Sequence, residues 1–216
     1  MNFLPLTSIL LATLIINGAI RRSNRFDKEK RRRYLEREEK ASRTPSQNLD
    51  KIRWIKIPDS LPLDIMPEDS KASKISESIH NLSLKKITNL SGFTNTDLKL
   101  EYGAVNLKEL SAADSNCIVL LRNISSLAEI YIKNDHYDEA MQLLQFAVEA
   151  GSDDPKQFEA LSSYYLEDEN YDAIYRLKEI ADKLNSERAE TISDKLSQTL
   201  LLMECVDNGQ TSEGNP

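Results

Sequence analysis

The chain of 216 residues is poor in the residue types that mark several classes of protein. It has six glycines, seven prolines, one tryptophan and little valine, which argues against an all-β fold. Its two cysteines, Cys117 and Cys205, lie far apart without metal-ligand spacing, which argues against a disulfide framework and favours buried thiols in a reducing compartment. Apolar content of 40% and charged content of 29% are typical of a helical domain, so an all-α fold is expected.

Motifs that carry catalysis are also missing from the sequence. It has no glycine-rich phosphate loop, no GxSxG, no HExxH and no paired CxxC. Both cysteines lie in apolar helical runs, where a thiol tends toward a raised pKa and low reactivity. We therefore expect a protein that is not an enzyme, with no catalytic residue, cofactor or metal site.

Charge is distributed very unevenly along the chain. Residues 1–20 carry no charged side chain, residues 21–43 carry eleven Lys/Arg and five Asp/Glu (+6), and residues 44–216 carry seventeen and thirty (−13). A folded domain that is this acidic lacks the clustered cations that phosphate contacts need, so nucleic acid is not an expected partner.

The N-terminal run "FLPLTSILLATLIINGAI" (residues 3–20) predicts a single transmembrane helix. As a helix it is about 27 Å long, enough to cross the hydrocarbon core. The cations of "RRSNRFDKEKRRR" follow at once and favour the cytoplasmic side, so the N-terminus is expected outside and residues 21–216 in the cytoplasm. The basic run would also contact anionic lipid. The alternative for residues 3–20 is a buried core helix.

Residues 25–43 favour a solvated helical stalk, because strong helix formers of mixed charge leave no apolar face. Pro45 ends that stalk. The following "DKIRWIKIPDSLPLDIMPED" contains three prolines that exclude regular helix, yet it stays rich in apolar residues. It predicts an extended strap along the helical domain with Trp54 as an anchor; the alternative is a short partner-binding motif.

Helix is predicted again after this strap. Asp69 or Ser70 can cap it, and Gly92 stands where a residue just after a helix end is expected. His80 lies beside its apolar stripe and is interpreted as an ordinary, partly buried histidine rather than a ligand. The stripe consists of Ile75, Ile79, Leu82 and Ile87.

A short helix is predicted next, in "TNTDLKLEYG". Thr94 and Asp97 have the spacing of a capping box, and the helix should stop near Gly103.

The second half of the chain matches itself at an offset of 34 residues. Each unit predicts two amphipathic helices joined by a polar turn, and stacking would bury their apolar sides. Residues 189–206 then predict a helix that caps the stack. The seven identities are Leu127/Leu161, Tyr131/Tyr165, Tyr137/Tyr171, Asp138/Asp172, Leu143/Leu177, Ala147/Ala181 and Ser152/Ser186.

The period and these residues resemble the tetratricopeptide repeat over residues 121–188. Asp154-Pro155 falls at the usual turn between units, whereas Ile174 and Lys178 depart from the family pattern, which makes the second unit divergent. The matching positions are Ile124, Leu127, Ala128, Tyr131, Tyr137, Ala140, Leu144 and Ala147 in the first unit, and Phe158, Leu161, Ser162, Tyr165, Tyr171 and Ala181 in the second.

The turn "KNDHYDEA" gathers Asp135, His136, Asp138 and Glu139, which raises the question of a metal or acid–base site. Its counterpart 34 residues on, "EDENYDAI", keeps the tyrosine and the aspartate that follows it but not the histidine. We interpret the cluster as a repeat loop whose aromatic residue packs between helices, with Asp138 at a helix N-terminus where the dipole favours it.

The first helices of stacked hairpins commonly line a concave groove. Solvent exposure without any ligand is the alternative for the same positions. The groove positions predicted for an unknown protein or peptide partner are Arg122, Ser125, Glu129, Ile132 and Lys133 in the first unit and Lys156, Glu159, Ser163 and Glu167 in the second.

The whole chain also resembles a group of uncharacterised, N-terminally membrane-anchored proteins of clostridial-type bacteria. The resemblance rests on the anchor and basic stalk, "IPDSLPLDIMPED" and "TNTDLKLEYGAVNL", and it implies a bacterial origin without an activity.

Two functions stay open from the sequence: a membrane-tethered cytoplasmic adaptor, or an accessory subunit of a membrane complex assembled through its transmembrane helix. The predicted segments are the anchor (1–20), the basic helix (21–44), the strap (45–68), a helical region before the repeats (69–120), two repeats (121–188), the capping helix (189–206) and a disordered tail (207–216).

Overall fold

The computed structural model describes residues 4–210, with side chains described for residues 16–17 and 20–203. Within that part of the chain the structure is all-helical, without a β-strand, as the composition predicts. The elements are α1 (Leu4–Ser42), α2 (Ser70–Ser83), α3 (Asn95–Tyr102), a 3-10 turn (Ala104–Asn106), α4 (Leu107–Lys133), α5 (Tyr137–Glu149), α6 (Pro155–Glu167), α7 (Tyr171–Asp182) and α8 (Ala189–Gln210).

The chain forms two compact units. The first contains the residues up to Leu49 together with Thr94–Leu107, and the second contains Asp50–Phe93 together with the residues from Lys108 onward. The region that the sequence groups as 69–120 is therefore divided, because α3 and the turn after it belong to the first unit.

The predicted anchor and stalk form one continuous helix, α1, of 39 residues. At 1.5 Å per residue its axis is about 58 Å long. In the part of the chain that the structure describes, no helix combines the length and apolar character needed to span a bilayer. Much of the predicted anchor lies outside the described residues: Met1–Phe3 entirely, and residues 4–15 and 18–19 in their side chains.

The C-terminal end of α1 packs against α3, so the stalk is not solvated along its whole length as the sequence suggested. Ala41 is fully buried, and Arg37 donates to Asp97 over 2.5 Å. Glu38 accepts hydrogen bonds from Lys99 and Thr96. These bonds lower the pKa of Glu38, the bond from Lys99 contributing most. Polar contacts from Arg37 and Glu38 thus hold the charged helix α1 against α3.

The capping signals around α3 are confirmed. Thr94 Oγ1 accepts from the Asp97 backbone amide, and the Asp97 carboxylate accepts from the Thr94 amide and hydroxyl. The bond from the Thr94 hydroxyl is the main cause that lowers the pKa of Asp97. Gly103 ends the helix with a φ of 88°, a left-handed value that suits glycine. A side chain there would also collide with the backbone at Pro45 and Ser46.

The strap has no regular secondary structure; residues 45–49 belong to the first unit, and from Asp50 onward it packs on the helices of the second unit. Ile52 and Leu63 are buried, and Leu63 belongs to the main hydrophobic core. Trp54, the expected anchor of the strap, is half-buried and is not among the residues of that core. The anchor is instead Tyr131, which is fully buried and whose hydroxyl donates to Leu63 O (2.9 Å) and accepts from Ile65 N (3.2 Å).

Helix α2 begins as predicted but ends earlier. Asp69 is its N-cap and accepts from two backbone amides at 2.8 Å. The helix stops at Ser83 rather than near Gly92, because the next positions on its apolar stripe after Leu82 are two lysines. Ile87 therefore lies beyond the helix in an extended segment, where it is buried and its carbonyl accepts from Ile55 N over 2.8 Å.

Helices α4–α8 follow one another in the second unit, and their bounds repeat the 34-residue offset. α5 and α7 begin at Tyr137 and Tyr171, α6 and α8 begin at Pro155 and Ala189, and α4 and α6 end at Lys133 and Glu167. Helix α4 starts at Leu107, earlier than the repeat pattern indicated. The largest fully buried residues here are Leu110, Leu120, Ile124, Leu127, Tyr131, Leu143, Phe158, Leu161, Ile174 and Ile192.

The turns inside the two hairpins share the same backbone bonds. The second residue after α4 and the second residue after α6 have a left-handed backbone conformation, with a φ of 64° at Asp135 and 50° at Glu169. The next amide donates to the carbonyl of the aligned tyrosine, at 3.0 Å in the first hairpin and 2.8 Å in the second. Tyr137 and Tyr171 are 51% and 36% exposed, so the expectation that this aromatic packs between helices is wrong.

Helix α8 continues to Gln210, four residues into the segment predicted as a tail. No proline follows Pro155 until Pro216, so nothing in this stretch removes a backbone donor and stops the helix. The rest of the predicted tail, residues 211–216, lies outside the described residues.

Candidate functional site

The predicted groove residues of α4 differ in exposure and in the hydrogen bonds that they make. Arg122, Glu129 and Lys133 are exposed on the helix. Ser125 is half-buried and already used within the fold: its hydroxyl donates to Leu121 O (2.8 Å) and accepts from Gln157 Nε2 (2.6 Å). Because Gln157 is buried on α6, Ser125 links two helices rather than facing a ligand.

Two predicted residues of α6 line a groove against α8. Glu159 and Ser163 are exposed there, and Lys156 is exposed at the start of the helix without lining the groove. The groove has a volume of about 330 Å³, enough for a few side chains of a partner. The half-buried Ile132 and the exposed Glu167, also predicted, are not among its lining residues.

Helix α8 supplies the other wall of this groove, which the sequence analysis missed. Its contribution includes Lys195, Gln198, Thr199 and Leu202. These residues lie beside the apolar stripe of α8 on the helix surface. Side chains next to a core-facing stripe lie at the edge of the helix interface, and this position could have predicted them from the sequence. The sequence predicted α8 only as a helix that covers the end of the stack.

The groove between α6 and α8 combines apolar walls with hydrogen-bonding groups. Phe158, Leu166 and Leu196 line it, and Leu202 at its edge is 69% exposed. Lys195 Nζ lies 3.9 Å from Glu159 Oε2, so each wall carries one charge of opposite sign. Its hydroxyl, amide and apolar groups can form hydrogen bonds and apolar contacts with a bound chain.

The cluster at 135–139 serves the fold. Asp138 Oδ1 accepts from the Tyr164 hydroxyl over 2.9 Å, and this bond is the main cause that raises the pKa of Tyr164. His136 Nδ1 lies 3.8 Å from Glu139 Oε2, and its ring contacts the Tyr131 ring edge-on. Across the residues with described side chains, no group of three His, Cys, Asp or Glu is arranged to hold a metal ion.

The other side chains that could carry chemistry are His80 and the two cysteines. His80 Nε2 lies 2.9 Å from Asp64 Oδ2, and its ring is exposed rather than partly buried as expected. Burial, with a smaller contribution from Asp114, raises the pKa of the Cys117 thiol to about 12. At neutral pH that thiol is protonated and a weak nucleophile. The side chain of Cys205 lies outside the described residues.

Comparisons of the chain with known protein families, with curated proteins and with solved structures give no match.

Proposed function

We propose that the protein is a noncatalytic adaptor, tethered to the cell membrane and binding a protein partner in the cytoplasm. The observation that carries the proposal is the open groove between α6 and α8, in which exposed Leu202 and a mixed polar wall face solvent. A large exposed apolar side chain beside hydrogen-bonding groups is the composition of a peptide-binding surface.

The hairpin stack is proposed to be a tetratricopeptide-type array. The 34-residue spacing of helix starts and the repeated turn bonds support this assignment. In such arrays neighbouring first helices, here α6 and α8, border the groove. The partner is therefore expected to lie across these two helices.

The membrane part of the proposal rests on the sequence of residues 3–20 and the cations after it. The segment would cross once, with the N-terminus outside, and residues 21–43 would contact anionic lipid. A reporter enzyme fused after Pro216 tests the orientation: activity only outside the cytoplasm refutes it.

Adjacent leucines of α8 allow a matched test of the groove. Leu202 lines it, whereas Leu201, 60% exposed, does not. Full-length chains carrying Leu202→Glu or Leu201→Glu are cross-linked in native membranes and their partners quantified by mass spectrometry. We expect Leu202→Glu to remove a partner that Leu201→Glu retains.

The same cross-linking experiment, extended to a chain without residues 1–20, distinguishes the accessory-subunit function from the adaptor function. If both leucine variants keep every partner and deletion of residues 1–20 removes them all, the chain assembles through its N-terminal helix and the adaptor proposal fails. Turnover of a substrate by a fragment of residues 44–216 would contradict the noncatalytic assignment.

A further inference from the structure

Two distant segments of the second unit meet to form a cationic surface with an exposed leucine. Ile55 N donates to Ile87 O (2.8 Å), and Thr88 Oγ1 donates to Arg53 O (3.0 Å). These bonds bring "KIRWIKI" (51–57) beside "LKKIT" (84–88), which together hold five cations and no carboxylate.

A surface pocket of about 450 Å³ lies between the two segments. Its lining includes Trp54, Lys56, Lys85 and Lys86, with Asp59 as the carboxylate among the lining residues. Lys86 Nζ lies 5.1 Å from the centre of the Trp54 ring. Lys86 also pairs with Glu109 over 2.5 Å, so Lys56 and Lys85 are the cations best placed for an outside anion.

Leu84 distinguishes this surface from an ordinary cationic patch. It follows the last residue of α2, between two pocket-lining residues, and its side chain is 87% exposed. Among the residues that the structure describes, little covers the apolar surface of this leucine, and two lysines, Lys85 and Lys86, follow it directly. Tryptophan, lysine and a protruding leucine are the set that suits a bilayer interface.

We propose that Trp54, Lys56, Leu84, Lys85 and Lys86 form a second membrane contact, which docks the helical domain on an anionic lipid surface. Lys56 and Lys85 would pair with lipid phosphates, Leu84 would enter the boundary between headgroups and acyl chains, and Trp54 would lie at the interface. The inference rests on the proposed function only in that the tether holds this domain near the membrane, where a weak contact suffices.

Trp54 makes the docking directly measurable because it is the one tryptophan of the chain. The full-length protein is reconstituted into vesicles of phosphatidylcholine, with or without phosphatidylglycerol, and tryptophan emission is recorded with brominated acyl chains as quenchers. We expect a blue shift and quenching only with phosphatidylglycerol. Lys56→Glu/Lys85→Glu should weaken the response about tenfold or more, and Leu84→Glu should reduce the quenching.

Arg176→Glu/Arg188→Glu is the matched control, because it makes the same charge change at exposed positions that do not line the pocket. This variant should respond like the unmodified chain. Equal emission from both vesicle types, or an equal loss in the control variant, overturns the inference. So does a Trp54 response to a poly-glutamate peptide without any response to phosphatidylglycerol, which would assign the surface to an acidic protein segment.

Failure of the tether and failure of the docking contact give different results. If the chain floats with phosphatidylcholine vesicles in high salt but Trp54 does not respond to phosphatidylglycerol, the tether stands and the second contact fails. If the chain leaves phosphatidylcholine vesicles yet Trp54 responds to phosphatidylglycerol vesicles added in solution, the contact stands and the tether fails.

Discussion

Replacing Tyr131 with phenylalanine tests how the strap is held on the hairpin stack. The Tyr131 hydroxyl connects α4 to the strap by donating to Leu63 O and accepting from Ile65 N. Burial raises the pKa of this hydroxyl, so it keeps its proton and remains a donor at neutral pH. Phenylalanine keeps the ring in the core and removes these two bonds alone.

The structure sets the expected cost at the low end for a buried hydrogen-bond pair. Leu63 O keeps a second donor, the Ser76 hydroxyl, and Ile65 is 38% exposed, so water can reach its amide. Tyr131→Phe should therefore lower the free energy of unfolding by about 1 kcal/mol. The double change with Ser76→Ala leaves a buried carbonyl without either side-chain donor, so its cost should exceed the sum of the single changes by about 0.5–1 kcal/mol.

Urea unfolding followed by circular dichroism measures the total cost, and hydrogen exchange of residues 61–66 shows where it arises. Trp54 emission should change at lower urea in the variant, because this residue lies on the strap. Tyr165→Phe is the natural control: the aligned tyrosine donates to Gln145 Oε1 at an exposed site over 3.3 Å. Its removal should cost about 0.5 kcal/mol or less.

Equal stability of Tyr131→Phe and the unmodified chain, with unchanged exchange at residues 61–66, would refute this account of the strap. An equal loss of stability in Tyr165→Phe would also refute it, because the loss would then not depend on the two hydrogen bonds between Tyr131 and the strap.

Three further results are expected. Gly103→Ala should destabilise the end of α3 by about 1–3 kcal/mol, seen as faster hydrogen exchange over residues 95–102, because a Cβ at this positive φ collides with the preceding loop; unchanged exchange would contradict it. Cys117 should resist alkylation by iodoacetamide at mildly alkaline pH until the chain is denatured, as peptide mass spectrometry can show, because its pKa is raised to about 12; rapid labelling of the native chain would be inconsistent with this burial. Hydrogen bonds from Lys178 and then from Ser193 lower the pKa of Asp182. The carboxylate therefore contributes its full stabilisation above the ordinary carboxyl pKa of about 4 and loses it as the pH falls through the lowered pKa. Asp182→Asn should remove that part of the dependence of the unfolding free energy on acid pH, and an unaltered pH profile would argue against it.

Local signals in the sequence predicted the start of α2 and both ends of α3. The cap at Asp69, the capping box at Thr94 and Asp97, and the stop at Gly103 each depend on atoms within a few residues. The hairpin bounds followed from the 34-residue offset, since the same apolar pattern needs the same register in each unit.

Features that depend on distant contacts were not predictable in this way. The position of Ile87 beyond α2 depends on its pairing with Ile55, and the strap is held by hydrogen bonds to Tyr131 of α4. The packing of α1 on α3 through Glu38 involves partners about 60 residues away. For the groove between α6 and α8, the repeat pattern predicted two of the lining residues, Glu159 and Ser163, whereas the residues of α8 depend on how that helix packs on α6.

The equal spacing of helix starts means that the stack can change length only in whole steps. Duplicating residues 155–188 would add one hairpin with its apolar face in phase, and α8 would still find the surface that it now covers. An insertion of a different length would turn the following helices out of phase and expose their core side chains. Each added step would also create one more groove between first helices, so the binding surface could lengthen while both ends of the stack stay unchanged.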